Sequence, residues 1–589
     1  MFDKIIYIGE NNCYVALKEG VEIKKNILSS HVVVEDQEKA ILGEISELNS
    51  GRVNIKLIGE FHGGRLQNGI LRKPLMDATI RPVNDQEIAT ILGQNTDTGL
   101  LLGKSPFYNG LPVFFNINDF YSNHFAIFGN TGSGKSCGVA RLIQNTFAST
   151  SIKPVEANFI IFDVAGEYAQ AFTALSKIDS RYQYRVLTTS ETATNYEPLK
   201  IPLWLLNEDD LALLLMSDAH SQLPIVERML YLARCFAENN ATSQAFKNHI
   251  IAKAIVSVLF SDSTPVGKKN DIFNIVETCP TEQFNLEAVI PGVGYTRKLR
   301  ECFNIDKLGN FTESILFTNY AQGFVDERFE HYEPQEMTFF NLQDLEKALD
   351  FTLISEGWYK NPNTYSDAVS VKVRLHSLVT GPYAKIFDFK HHYNVNEYLS
   401  SLVFRGNQRC QLININLDDM DDSIAGVITK IISRLIFDYA KNLQPRGSLP
   451  FHIMVEEAHR YIRNDKDHFL IGYNIFERIA KEGRKYGVIL GVITQRPVEL
   501  SDTVVSQCSN FLIFKTNHPL DEEYIRKMIP NINNEIVDKQ KGLQSGTCLA
   551  FGNAFKIPVI VTLDMPDPPP LSSNADMLKY WGGNSNSQQ

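Results

Sequence analysis

Gly129-Asn130-Thr131-Gly132-Ser133-Gly134-Lys135-Ser136-Cys137 carries the spacing GxxxxGK[ST]. Glycines at that spacing free backbone N–H groups to wrap an anion, the lysine reaches the outer phosphate oxygens, and the serine supplies a magnesium ligand at a helix start. The context agrees, because the apolar run Phe125–Phe128 precedes the loop and the helix-like Val139–Ile143 follows it. All nine residues are therefore expected to bind ATP, with Ser136 on Mg²⁺.

A phosphate loop holds nucleotide without cleaving it quickly, so a carboxylate and a water-activating group must come from another strand tip. The segment Phe451-His-Ile-Met-Val455-Glu456-Glu457-Ala-His459 ends a buried run in adjacent acids. Glu456 is expected to hold magnesium through its water, and Glu457 to orient and deprotonate the attacking water. A strand leading into an acidic helix N-terminus would read the same way. Val488-Ile-Leu-Gly-Val-Ile-Thr494-Gln495 also ends in polar residues, with Gln495 the candidate sensor of the terminal phosphate. Asp163 or Glu167, beyond the apolar Phe159–Phe162, is a candidate for a catalytic role, with a structural cap as the near-equal alternative.

These tips need a sheet to carry them. Residues 1–95 alternate short apolar runs with Gly/Asn punctuation, the pattern of a small antiparallel sheet or β-barrel. From 96 to 199 the order becomes strand, glycine loop, helix, strand; residues 200–400 are mainly helical and read as an insertion. Strand and helix alternation resumes over 401–563, which predicts an α/β fold with one parallel sheet covered on both faces. Residues 564–589 begin Asp-Met-Pro-Asp-Pro-Pro-Pro and read as a stiff arm, laid on a neighbour or disordered. No internal repeat is present.

The chain has 589 residues, enough for roughly four modules at about 150 residues each. Its 44% hydrophobic and 21% charged residues exclude a disordered chain or a fibrous repeat. Eight cysteines without a CxxC pair fit reduced core residues, not a disulfide frame or zinc site. Neither a run of about 20 apolar residues nor a basic, cleavable leader is present, so a cytoplasmic protein without membrane attachment is expected. The net charge of −11 argues against a surface coated for nucleic acid, yet a narrow basic pore fits within an acidic total.

Together the N-terminal β-domain, FGNTGSGKS, the DxxGEY of Asp163–Tyr168, VEEAHRYI, IAKEGRKYG at Ile479–Gly487 and ITQRPVELSDTVVSQCSN to Asn510 resemble the HerA helicase/translocases. These belong to the HerA–FtsK group of RecA-like P-loop motor ATPases. The resemblance spans most of the chain and implies a homohexameric ring with ATP sites at subunit interfaces and double-stranded DNA through the centre. It makes Arg484 the candidate arginine finger, a cation from the next subunit that stabilises charge on the transferring phosphate; a solvated helix end is the plain alternative. Family members often carry Arg after the SQC segment where this chain has Lys515, a poorer bidentate phosphate partner.

The resemblance also implies a separate nuclease or sirtuin-like effector as partner, in DNA end processing or in a bacterial phage-defence complex. The expected activity is that of an ATP-driven DNA translocase or helicase. Two alternatives stand beside it: a ring scaffold that regulates effectors through ATP binding, and a secretion or conjugation pump. Arg460, Arg463, Lys466, Lys372 and Arg374 are basic candidates for DNA contact, and none is singled out from ordinary surface charge.

Overall fold

Four consecutive buried residues, Phe125–Phe128, form the strand that delivers the phosphate loop. Its neighbours Val488–Thr494 and Asn510–Phe514 are buried at every position and pair with it in parallel. Near-continuous apolar runs of this kind are what strands covered on both faces require. In the computed structural model, which describes residues 1–18, 27–37, 39–49, 51–190, 196–217, 219–238, 240–334, 337–356, 362–463, 466–528, 540–572 and 577, these strands lie inside a sheet of twelve.

The parallel part runs Asn510–Phe514, Phe125–Phe128, Val488–Thr494, Phe451–Val455, Phe159–Asp163, Leu412–Asn416, Tyr184–Thr188 and Glu197–Pro198. One strand, Val488–Thr494, therefore separates the phosphate-loop strand from the strand that ends in Glu456, which is the RecA-like arrangement. The sheet then continues with four antiparallel strands, Thr547–Gly552, Val559–Thr562, Gly99–Lys104 and Pro112–Asn116. The parallel sheet expected from the sequence is present and is extended: strands from before the phosphate loop and from near the C-terminus close one side as hairpins, which need no crossover helix.

The N-terminal strands from Phe2–Ile8 to Thr79–Pro82 form a seven-stranded antiparallel half-barrel. Register shifts at Leu42/Gly43 and Ile45/Glu47 help to curl it around Val15, Ile41, Val53 and Ile55.

Helices dominate residues 208–380, among them Glu208–Leu215, Ala219–Ala237, Ala241–Leu259, Leu342–Ser355 and Pro362–Thr380. Several start with an asparagine capping box, at Asn207, Asn240 and Asn341, which satisfies first-turn amides. Their apolar faces share one core with the central sheet, and a buried Arg434–Asp210 ion pair ties Glu208–Leu215 to helix Asp422–Asn442. Residues 466–486 form three pieces, Lys466–Ile471, Ile475–Glu482 and a 3₁₀ turn Gly483–Tyr486, because Gly472 sits at positive φ and Asn474 caps a fresh start.

The C-terminal arm lies on its own chain rather than reaching away. Gln144 Nε2 donates to Pro568 O at 3.0 Å, and the amide of Leu571 donates to Glu167 O at 2.7 Å. The rest of the arm, 573–576 and 578–589, lies outside the described residues. No helix among the described residues is long and apolar enough to cross a membrane.

Candidate active site

The phosphate loop is held from three sides. The amide of Gly129 donates to Thr494 O at 3.2 Å, that of Asn130 to Lys515 O at 3.0 Å, and that of Gly546 to Ser133 O at 2.9 Å. Ser545 Oγ adds a hydrogen bond to Gly132 O at 3.1 Å. Gly134 has φ 90°, and a Cβ there would meet Gly546 N at 2.5 Å, so both the turn and the close approach require glycine. Helix Lys135–Ala148 starts directly from Gly134, with no side-chain cap over its first turn. Its amides and partial positive charge face the loop, as an anion site requires.

Glu457 and Gln495 touch this loop, and Glu456 lies close enough to feel the Lys135 charge. Gln495 Oε1 accepts from Thr131 Oγ1 at 2.8 Å. Glu457 has a left-handed backbone, φ 45°, at the strand exit, and its Oε1 stands 3.1 Å from Lys135 Nζ. His459 Nδ1 lies 3.2 Å from Glu457 Oε2. Burial works to raise the Glu457 pKa, but the His459 and Lys135 contacts outweigh it and hold the carboxyl at about 2. It is a carboxylate at neutral pH.

Glu456 is the opposite case. It is fully buried, and burial followed by the charge of Asp163 pushes its pKa well above the usual carboxylate range. Asp163 already accepts from the amides of Glu167 and Tyr168 at 2.9 and 2.8 Å and from Asn414 Nδ2 at 2.9 Å. Burial raises the Asp163 pKa as well, against the pull of these bonds, so the two acids share a site that disfavours a second negative charge.

Among the described residues, Ser133 Oγ, Glu167 Oε2, Glu456 Oε2 and Glu457 Oε2 are buried at this site without a hydrogen-bond partner. Polar atoms orphaned around a glycine cradle are those a nucleotide phosphate and its cation would satisfy. The donor set fits magnesium: hydroxyl and carboxylate oxygens from Ser136 and Glu456, leaving room for water and phosphate. Among the described residues no group of three or more His, Cys, Asp or Glu forms a protein-only metal cage.

Arg484 is not at this site. It is exposed in the 3₁₀ turn that enters strand Val488–Thr494, and its Nη1 donates to Asn123 Oδ1 at 3.0 Å. Since Thr494 pairs with Phe128 at the loop end, the arginine stands at the other end of the sheet, roughly 20 Å away at ~3.3 Å per residue. The basic candidates for DNA contact are engaged within the chain: Arg460 with Asp422, Arg463 with Glu499, Lys372 with Asp350, and Arg374 with Met216 O. The Lys466 side chain lies outside the described residues.

Ser545 and Gly546 were not legible as site residues, because they follow no spacing rule and come more than 400 positions after the loop they brace. His459 was visible within the acidic motif without a role.

Fold and site define a RecA-like P-loop domain with a carboxylate-bearing strand one place removed. Residues 99–278 match the family DUF87, helicase HerA central domain, so the HerA resemblance of the motifs holds for that part of the chain. The DNA double-strand break repair helicase HerA of Saccharolobus solfataricus is 29% identical over 192 residues, 32% of this chain and 38% of that protein. The chain thus spans well under half of that relative's length. A probable DNA double-strand break repair helicase HerA from Methanocaldococcus jannaschii is 22% identical over 577 residues, 96% of this chain and 95% of the relative. Among solved structures, the plasmid coupling protein TrwB with a GTP analogue has a TM-score of 0.45 and 10% identity, covering 82% of this chain and 93% of that one.

Proposed function

We propose that this protein is an ATP-driven DNA translocase or helicase of the HerA type, working as a homohexameric ring on double-stranded DNA. The observation that carries the reading is the split site: Lys135, Glu457 and Gln495 meet at one end of the sheet, and Arg484 stands at the other. Arg484 stands too far from its own chain's phosphate loop to reach the transferring phosphate, and a ring of copies would supply it from the neighbour.

In this reading ATP draws Lys135 from Glu457 onto the β- and γ-phosphates. The freed carboxylate orients the attacking water and takes its proton, Gln495 senses the terminal phosphate, and the neighbour's Arg484 offsets its charge. Magnesium, held by Ser136 and through Glu456, would neutralise phosphate charge when bound. The acidic net charge of −11 leaves basic groups for the lumen and the subunit interfaces. A separate nuclease or sirtuin-like effector completes the proposal, in antiphage defence or DNA end processing in the cytoplasm. The test is Glu457→Gln: a motor keeps its assembly and loses DNA-dependent activity, whereas a scaffold switched by ATP binding alone keeps its function.

A further inference from the structure

Glu457 has two partners, Lys135 on Oε1 and His459 beside Oε2. In the proposed reaction Lys135 turns from the first contact toward the phosphates. His459, 3.2 Å from Oε2, is then the neighbour placed to hold Glu457, at a backbone φ of 45° that side-chain-bearing residues seldom adopt.

The same ring nitrogen touches a second group. His459 Nδ1 lies 2.9 Å from Thr494 Oγ1, and the ring is buried. Thr494 is no bystander: its carbonyl accepts the Gly129 amide at 3.2 Å, its hydroxyl accepts the Arg496 amide at 3.0 Å, and the next residue is Gln495, bonded to Thr131. The Nδ1 hydrogen bond goes to Thr494 Oγ1, while Glu457 Oε2, 3.2 Å from the same nitrogen, has no hydrogen-bond partner among the described residues. With the proton on Nδ1, a small turn of the carboxylate released by Lys135 places Oε2 on that N–H.

We infer that His459 is a positioning residue: anchored by Thr494, it holds Glu457 for water activation and couples that carboxylate to the strand tip carrying Gln495. This rests on the proposed ATP hydrolysis. The ring touches neither phosphate nor water, so its removal should slow turnover without weakening nucleotide binding.

The experiment measures steady-state ATP hydrolysis by the full-length protein, affinity for a fluorescent ATP analogue, and melting temperature. His459→Ala is expected to lower kcat roughly tenfold to a hundredfold, the cost of a misplaced catalytic group, with analogue affinity unchanged. His459→Asn, which returns an N–H near the Nδ1 position, should recover much of the rate. Thr494→Val should lose rate while Thr494→Ser keeps it, and His459→Ala with Thr494→Val together should cost little more than either alone. These two threonine variants decide the matter if His459→Ala does not fold. Wild-type kcat in His459→Ala with only a lowered melting temperature, or equal rates for Thr494→Val and Thr494→Ser, would overturn the inference. Absence of hydrolysis in the wild type would instead overturn the proposed function.

Discussion

Lys135 Nζ stands 3.1 Å from Glu457 Oε1, so the lysine that would hold the phosphates and the glutamate that would activate the water hold each other first. Both side chains are largely buried, at 6% and 13% exposure, and truncating one strands the other. Lys135→Ala should therefore abolish nucleotide binding and also lower stability, by about 3–5 kcal/mol. Glu457→Gln should keep nucleotide binding and cut turnover by roughly a hundredfold or more. Equilibrium unfolding and analogue binding on both variants check the pair, and an unchanged unfolding midpoint for Lys135→Ala would contradict the ion pair's structural part.

Arg484 should act only across an interface. Arg484→Ala and Lys135→Ala proteins, each inactive alone, should regain part of their ATPase activity when mixed and reassembled. An intact site on one subunit then meets an intact arginine on its neighbour. Mixed rings without activity would contradict action from the neighbouring subunit.

Gly134 is required twice over, by its φ of 90° and by the Gly546 amide 2.5 Å from any Cβ. Gly134→Ala should cost on the order of 1–3 kcal/mol of stability and push residues 544–546 off the loop. Nucleotide affinity should fall with it, which analogue titration measures. Ser545→Ala, removing only the bond to Gly132 O, should have the same sign and a smaller size.

Two buried histidines set an acid limit. Burial lowers the pKa of both His124 and His452 to about 4. The unfolded chain, with imidazoles near 6.5, takes protons first as pH falls. Stability from each neutral ring is therefore full above about 6.5, declines from there toward 4, and is worth on the order of 3 kcal/mol per ring. Glu456, raised rather than lowered, acts in the opposite direction, so the comparison must be between variants. The urea midpoint of wild type should drop between pH 7.5 and 5 by more than that of His452→Gln; equal drops would contradict the assignment.

Much of this site was legible in the sequence because its parts are local. The phosphate loop, the Glu456–Glu457 pair and Gln495 each end an apolar run, and strand tips at the same edge of a parallel sheet must converge. What pairing places was not legible. The antiparallel extension joins Val559–Thr562 to Gly99–Lys104 across more than 450 residues, and no short pattern records that register. The raised pKa of Glu456 beside Asp163 and the grip of Ser545–Gly546 on the loop also depend on contacts between distant segments. Arg484 shows the converse: its motif was readable, while its distance from the chain's own phosphate loop emerged only from the strand register.

The central claim is a ring whose ATP hydrolysis answers to DNA. The direct measurement is particle size together with ATPase rate, with and without duplex DNA, at two salt concentrations. The account predicts a hexamer whose rate rises with duplex DNA, with weaker stimulation at the higher salt as phosphate contacts are screened. A monomer, or a rate indifferent to DNA at both salts, would contradict it.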